Sequence, residues 1–229
     1  TSKSFDVIVI GAGSVGAPAA LALAEAGLRT LVVDELPSVG QGSNKRAIGG
    51  LRATHSDPAK IRVCLRSLDI FSTWEERHGD KIEWHKGGYS FIAYREEEEK
   101  SLRELLPFQK AHGLNIDWLG PDDLLRVVPD LNPRSLLGGT LSPDDGNASP
   151  LLAVHAFYTR ARSLGAEFRF DAMLNPRVDG RPGPLRRAGS RKGVPHRSHA
   201  LPASCGLRER TRRPPSRAEP DEGRQGRPR

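Results

Sequence analysis

No part of this chain limits its possible folds more than the stretch from Phe5 to Asp34, which spells a β-α-β unit in order and at the right spacing. Phe5-Asp6-Val7-Ile8-Val9-Ile10 is a short apolar run of strand character that ends directly in Gly11-Ala12-Gly13-Ser14-Val15-Gly16, a G-x-G-x-x-G turn. Alanine and leucine dominate the next segment, which has high helix propensity, and Gly27 stands where a helix C′ residue belongs. A helix from about Ser14 to Ala26 is predicted. Arg29-Thr30-Leu31-Val32-Val33-Asp34 then reads as a second strand.

The residues of the turn have separate physical tasks. Gly11 permits the tight turn, Gly13 lets the backbone approach a pyrophosphate, and Gly16 lets the helix pack on the strand. The free N–H groups and partial positive charge of the helix N-terminus, where Ser14 lies, favour an anion there. Asp34, at the tip of the second strand, can accept hydrogen bonds from a ribose 2′-OH and disfavours a 2′-phosphate, which argues against NADP. These residues imply a bound adenine dinucleotide and leave FAD and NAD both open. A signal peptide or membrane anchor is a poor reading of Val7 to Leu28. Glycines and a proline interrupt it, no basic region precedes it, and it falls short of a continuous span of roughly 20 apolar residues.

The formal net charge of +7 would ordinarily suggest a nucleic-acid or acidic-membrane partner. The excess is local. Residues 175–229 carry 14 Arg and 1 Lys against 2 Asp and 3 Glu, so the first 174 residues are net negative. The same segment holds 9 Pro and 7 Gly and no Phe, Tyr or Trp, and cannot build a core. The change is abrupt, just after the strand-like Glu167-Phe168-Arg169-Phe170, and divides the chain into an ordered region, 1–174, and a basic, disordered arm, 175–229. No aromatic residues interleave with the arginines for base stacking, so a nucleic-acid partner is not expected. Out-of-frame translation of a G+C-rich gene accounts for such a composition. Two cysteines, Cys64 and Cys205, suggest neither a disulfide framework nor a metal cluster, and a reducing cytoplasm fits best. The seven histidines show no metal-ligand spacing.

After Asp34 a long polar loop, Glu35 to Gly50, carries Gly42, Ser43, Asn44, Lys45 and Arg46, then Gly49, Gly50, Leu51 and Arg52. Loops of this length are usually functional, and a second stretch of cofactor contacts is the economical reading. Lys45, Arg46 and Arg52 could neutralise phosphate or an acidic substrate. Asp57 as N-cap and Pro58 at N1 open a helix with Ile61, Leu65, Leu68 and Phe71 to Trp74 at helical spacing. Trp84 and then Tyr89 to Tyr94 read as two strands around a Gly87-Gly88 turn. A charged helix follows from about Glu96 to His112, its acidic first turn a solvated face rather than a catalytic one. Pro121-Asp122-Asp123 opens a short helix, Ser142 to Gly146 is a turn, and Ser149-Pro150 caps a helix from Leu151 to Leu164 that leads into the strand at Glu167. The class is α/β, a β-α-β domain with an inserted antiparallel-strand and helix region. Tyr89, Phe91 and Tyr94 are either substrate-pocket or core residues.

Gly11 to Gly16 with Asp34, Gly49-Gly50-Leu51-Arg52, the strand Gly88 to Ala93, and Ser142-Pro143-Asp144-Asp145-Gly146 followed by Pro150 together resemble the FAD-dependent amine oxidoreductase family of D-amino-acid oxidase, glycine oxidase, sarcosine oxidase and the β subunit of L-proline dehydrogenase. The resemblance covers residues 5 to 172 and implies a Rossmann-type FAD-binding domain with part of a substrate domain. It implies that Gly11, Gly13, Ser14 and Gly16 hold the FAD pyrophosphate. Asp34, with Glu35 beside it, would hold the adenosine ribose, and Gly42 to Arg52 would run toward the flavin. With no His or Cys between Glu35 and Arg52, the FAD is expected to be non-covalent. The implied reaction is oxidation of an amine or amino acid at the C–N bond by hydride transfer, with further subunits or an electron acceptor as candidate partners. In the family the catalytic groups come mainly from a C-terminal half, so no catalytic residue is assigned. The alternatives are an NAD-dependent enzyme and a non-catalytic protein whose basic arm binds nucleic acid.

Overall fold

A computed structural model describes residues 4–173 and the backbone of 186–187. In chain order its elements are β1 (Val7–Ile10), α1 (Gly16–Glu25), β2 (Thr30–Val33), β3 (Gly50–Leu51), α2 (Pro58–Ser72), α3 (Trp74–His78), β4 (Tyr89–Ala93), α4 (Glu96–Ala111), β5 (Asp117–Leu119), α5 (Pro121–Val127), β6 (Gly138–Ser142), β7 (Gly146–Asn147), α6 (Pro150–Ser163), β8 (Glu167–Arg169), β9 (Ala172–Met173) and β10 (Arg186–Arg187). A 3-10 turn, Ser43–Arg46, sits inside the loop between β2 and β3.

The predicted β-α-β unit forms as a parallel pair, with Val7 opposite Thr30 and Ile10 opposite Val33. β8 adds to the other side of β2, also parallel, giving the order β1-β2-β8. All four residues of β2 are buried, as expected of a central parallel strand covered on both faces. Val32 faces α1 and α6, while Leu31 and Val33 face Phe5, Ile8 and Ala172 on the opposite side. The main core lies where Ala17, Ala20 and Leu21 of α1 meet Ala153, Ala156, Phe157 and Ala161 of α6. Alanines on both sides let the helix backbones approach closely. Phe157, 4.5 Å from Trp74 and 5.8 Å from Phe71 between ring centroids, fills the remaining space.

The inserted region is an antiparallel sheet in the order β4-β6-β5, with a second core of Ile61, Leu68, Leu106, Leu114 and Ile116 between α2, α4 and the segment before β5. A two-residue ladder, β3 with β7, links the regions. The local start signals act as expected. Asp57 accepts from the Lys60 N–H at 2.8 Å and Ser149 from the Leu152 N–H at 3.4 Å, and a further cap that the sequence did not signal forms at α4, where Glu98 accepts from the Arg95 N–H at 3.2 Å.

Two readings need correction. The strand expected around Trp84 does not form; His85 makes an isolated bridge to Asn147, so the chain here is tied to β7 rather than folded back on β4. The helix expected to run through Trp74 breaks at Thr73, whose Oγ1 donates to the Asp69 carbonyl at 2.6 Å, and restarts as α3. The short strands β3, β5 and β7 had no signal of their own. The arm expected over 175–229 lies outside the described residues apart from β10, which pairs antiparallel with β9. Among the described residues no helix is long and apolar enough to cross a membrane.

Candidate functional site

The glycine turn joins β1 to α1. Gly11 has φ +97°, in the left-handed region that a glycine occupies at no steric cost, and its N–H donates to the Val33 carbonyl at 2.8 Å. A Cβ on Gly16 would lie 1.8 Å from the Gly11 carbonyl oxygen and 3.3 Å from the Val9 side chain, so only glycine lets α1 start so close to β1. A Cβ on Gly13 would meet nothing within 4 Å. That open backbone is what an approaching ligand requires.

Unlike α2 and α6, α1 has no side-chain cap. Its N-cap position is Val15, 81% exposed, and its first turn contains no acidic residue. No side chain therefore caps this N-terminus or offsets its partial positive charge, although the Ala17 N–H donates to the Gly13 carbonyl at 3.0 Å. The acid nearest the turn, Asp34, instead braces it. Its Oδ2 accepts from the Ala12 N–H at 2.6 Å and its Oδ1 from the Leu36 N–H at 2.8 Å. A carboxylate has about four acceptor positions, so two remain for hydroxyl donors.

Beside this turn lies a cavity of ≈340 Å³. Of the residues singled out in the sequence, Ser14, Ser43, Asn44, Gly49, Gly50 and Leu51 line it. Buried Asn44 is fixed by its Nδ2, which donates to the Pro150 carbonyl at 2.9 Å and so fastens the 3-10 turn to the start of α6. Gly49 has φ +86°, and a Cβ there would come within 2.2 Å of the Ala148 carbonyl oxygen. Glu35, Gly42 and Lys45 are exposed and do not line the cavity. Its apolar wall is formed by Phe71, Ala153, Val154 and Phe157, which were read as core or not singled out. Nothing in their own spacing separates a cavity wall from a core face.

Arg52 points elsewhere. Its guanidinium carbon lies 5.1 Å from the Phe91 ring centroid and 5.5 Å from that of Tyr89, two residues on one face of β4. It donates to the Thr54 carbonyl, and at 3.3 Å to the Thr54 hydroxyl. Among the described residues it makes no ion pair within 4.0 Å, so its charge is held in place by rings and a carbonyl and is not neutralised by an acid. Burial first, and the Arg52 charge second, hold the His55 imidazole below its ordinary value. Tyr94, although in the same aromatic run, is separate: its hydroxyl donates to the Asn132 carbonyl at 3.1 Å.

Comparison with known proteins gives this geometry a family. Residues 6–197 match the model of the DAO family, FAD dependent oxidoreductase. Dimethylglycine dehydrogenase from Rattus norvegicus is 27% identical over 178 residues, 76% of this chain and 21% of the relative. Glycine oxidase from Bacillus licheniformis is 28% identical over 210 residues, 88% of this chain and 54% of the relative. Among solved structures, L-proline dehydrogenase from P. horikoshii superposes with a TM-score of 0.72 at 28% identity, over 76% of this chain and 46% of that one. The chain thus spans about half of the last two relatives and about a fifth of the first. With its uncapped helix N-terminus, open glycine turn and adjoining cavity, the chain belongs to the DAO family of FAD-dependent oxidoreductases.

Proposed function

We propose that this chain binds FAD non-covalently and forms the cofactor-holding part of an enzyme that oxidises the C–N bond of an amine or amino acid. The observation that carries the reading is the uncapped N-terminus of α1 against the open backbone of Gly13, with Ser14 lining the adjoining cavity. Residues Gly11 to Gly16 would hold the pyrophosphate by N–H groups and helix dipole. Asp34 would accept from the adenosine ribose with the lone pairs its backbone contacts leave free, and Glu35 stands beside it. Asn44, Gly49, Gly50 and Leu51 would carry the ligand along the cavity, with Gly42, Ser43 and Lys45 on the same loop. When bound, FAD supplies the hydride acceptor.

The substrate class comes from the relatives, whose names specify dimethylglycine, glycine and proline, each an amine bearing a carboxylate. Arg52 carries a charge with no direct ion pair among the described residues and so can receive such a carboxylate, and the rings of Tyr89 and Phe91 hold it for that task. This positions the substrate and lowers the entropic barrier to reaction without moving a proton. Additional subunits or a separate electron acceptor complete the reading, and the low cysteine content is compatible with a cytoplasmic setting.

The test is a titration of the purified full chain with FAD, followed by flavin fluorescence and visible absorption. Quenched flavin fluorescence with saturable binding, retained after dialysis and released as free FAD on denaturation, is expected. A folded chain that ignores FAD, or that binds NAD in its place, would falsify the reading.

A further inference from the structure

Asp145 is a buried acid for which the glycine turn and its cavity have no use. It is 1% exposed and lies in the turn between β6 and β7. Contacts from this turn reach two separate segments. The Asp145 Oδ1 accepts from the N–H of Ala53, the residue directly after Arg52, at 3.0 Å. Its backbone carbonyl accepts from the N–H of Gly88, the residue directly before Tyr89, at 2.8 Å. The next residue, Gly146, pairs with Leu51, directly before Arg52. One turn therefore grips both the segment just after β3 that carries the guanidinium and the strand that carries the rings beneath it.

The electrostatics point the same way. The other carboxylate oxygen, Oδ2, is buried with no hydrogen-bond partner among the described residues, and Asp145 makes no ion pair with Arg52 within 4.0 Å. The carboxylate attracts the guanidinium without occupying its donors, which a direct pair would withhold from an incoming anion. Burial pushes the Asp145 carboxyl up, opposed by the Ala53 N–H, by the nearby Ser142 hydroxyl, which stands outside hydrogen-bonding geometry, and by the Arg52 charge.

We propose that Asp145 is a positioning residue that fixes the backbone on which Arg52 is mounted and thereby holds its guanidinium over Tyr89 and Phe91. The proposal rests on Arg52 as the carboxylate anchor for its functional meaning, but the placement itself can be measured without any ligand. With its guanidinium carbon 5.1 and 5.5 Å from two ring centroids, Arg52 should show a ring-current shift at its Nε–H.

The experiment is two-dimensional NMR of the 15N-labelled full chain, with the Arg52 Nε–H resonance assigned by its loss in Arg52→Lys. In Asp145→Ala the resonance should move at least half-way to its position in a denatured chain, while the resonances of the glycine turn stay in place. An unmoved Arg52 signal overturns the proposal. Should Asp145→Ala fail to fold, the nearly isosteric Asp145→Asn, which keeps an acceptor for Ala53, decides the matter by pH titration. The charged or titratable neighbours here are Arg52, Asp144, His55, Lys60 and Cys64. The Arg52 signal of the unmutated chain should show a step above the ordinary aspartate value of 3.8 that is absent in Asp145→Asn. A step that survives the substitution overturns the proposal. Acetate added to the FAD-loaded chain separates the two ideas: a moved Arg52 signal with unchanged acetate affinity upholds the positioning and refutes the anchor. Acetate binding weakened about tenfold in Asp145→Ala, with FAD affinity unchanged, upholds both.

Discussion

The carboxylate of Asp34 accepts the Ala12 N–H at 2.6 Å, so the acid that ends β2 closes the glycine turn that ends β1. The residue expected to face a ribose therefore also sets the shape of the turn proposed to hold the phosphates. Its other oxygen holds the Leu36 N–H at 2.8 Å and starts the loop on its course. Asp34→Ala should destabilise the fold by about 2 kcal/mol, the usual loss for hydrogen bonds to a charged group that is only partly buried. Urea denaturation would measure it. Asp34→Asn, with one carbonyl acceptor, should lie between the two, and the same order should appear in FAD affinity.

Gly16 and Gly13 are both glycines of one motif, yet their substitution should give opposite phenotypes. Gly16→Ala forces a Cβ to within 1.8 Å of the Gly11 carbonyl oxygen and should cost about 2 to 3 kcal/mol, as overpacking against backbone does. Gly13→Ala meets no protein atom within 4 Å and should leave the unfolding midpoint nearly unchanged while lowering FAD affinity severalfold. Thermal unfolding and flavin titration of the two variants side by side would show it. Equal loss of stability in both would refute the division of tasks.

Phe157 should be the most costly single truncation in the cavity wall. It is 7% exposed and packs against Phe71 and Trp74 while lining the cavity. Phe157→Ala should cost about 3 to 4 kcal/mol, the usual range for removing a buried aromatic ring. The denaturant midpoint should fall with little change in slope.

Asp6 and Arg29 predict an acid dependence. The Arg29 guanidinium hydrogen-bonds Asp6 and lowers its pKa from 3.8 to about 2, helped by the Arg29 backbone N–H. The folded value lies below the unfolded one, so the contribution is fully present above about pH 4 and is lost as pH falls toward 2. The pair is exposed and salt screens it, so the effect should be small and should shrink further in high salt. Asp6→Asn should flatten the stability profile between pH 4 and pH 2. An unaltered profile would show that the pair contributes nothing to folding.

Residues that could be read correctly from the sequence were those whose partners are near in the chain or whose backbone demand is their own. The β1-α1-β2 unit follows from an apolar run, a glycine turn and a helix-forming segment in succession. Asp57 and Ser149 cap helices by reaching three residues ahead. The strand sought at Trp84 failed because a short apolar run takes whichever ladder the fold offers, and Asn147 offered one to His85. Two- and three-residue strands such as β3, β5 and β7 have no periodicity to detect and exist only where a neighbour supplies the hydrogen bonds.

The amino-acid sequence by itself determined the β-α-β unit, because glycine geometry, strand and helix propensity and the acid at Asp34 act over a few residues or one β-α-β repeat, and it carried the family only through the resemblance of four separated blocks in order. Tertiary structure alone decided which residues meet: Asn44 with Pro150, Ala53 with Asp145, Phe71 with Phe157, and Arg52 with Tyr89 and Phe91. Each of these contacts closes a long loop, and its free energy is available only once the two sheets and α6 have packed. A guanidinium, a carboxylate or a ring carries no record in its own neighbourhood of the segment that will face it.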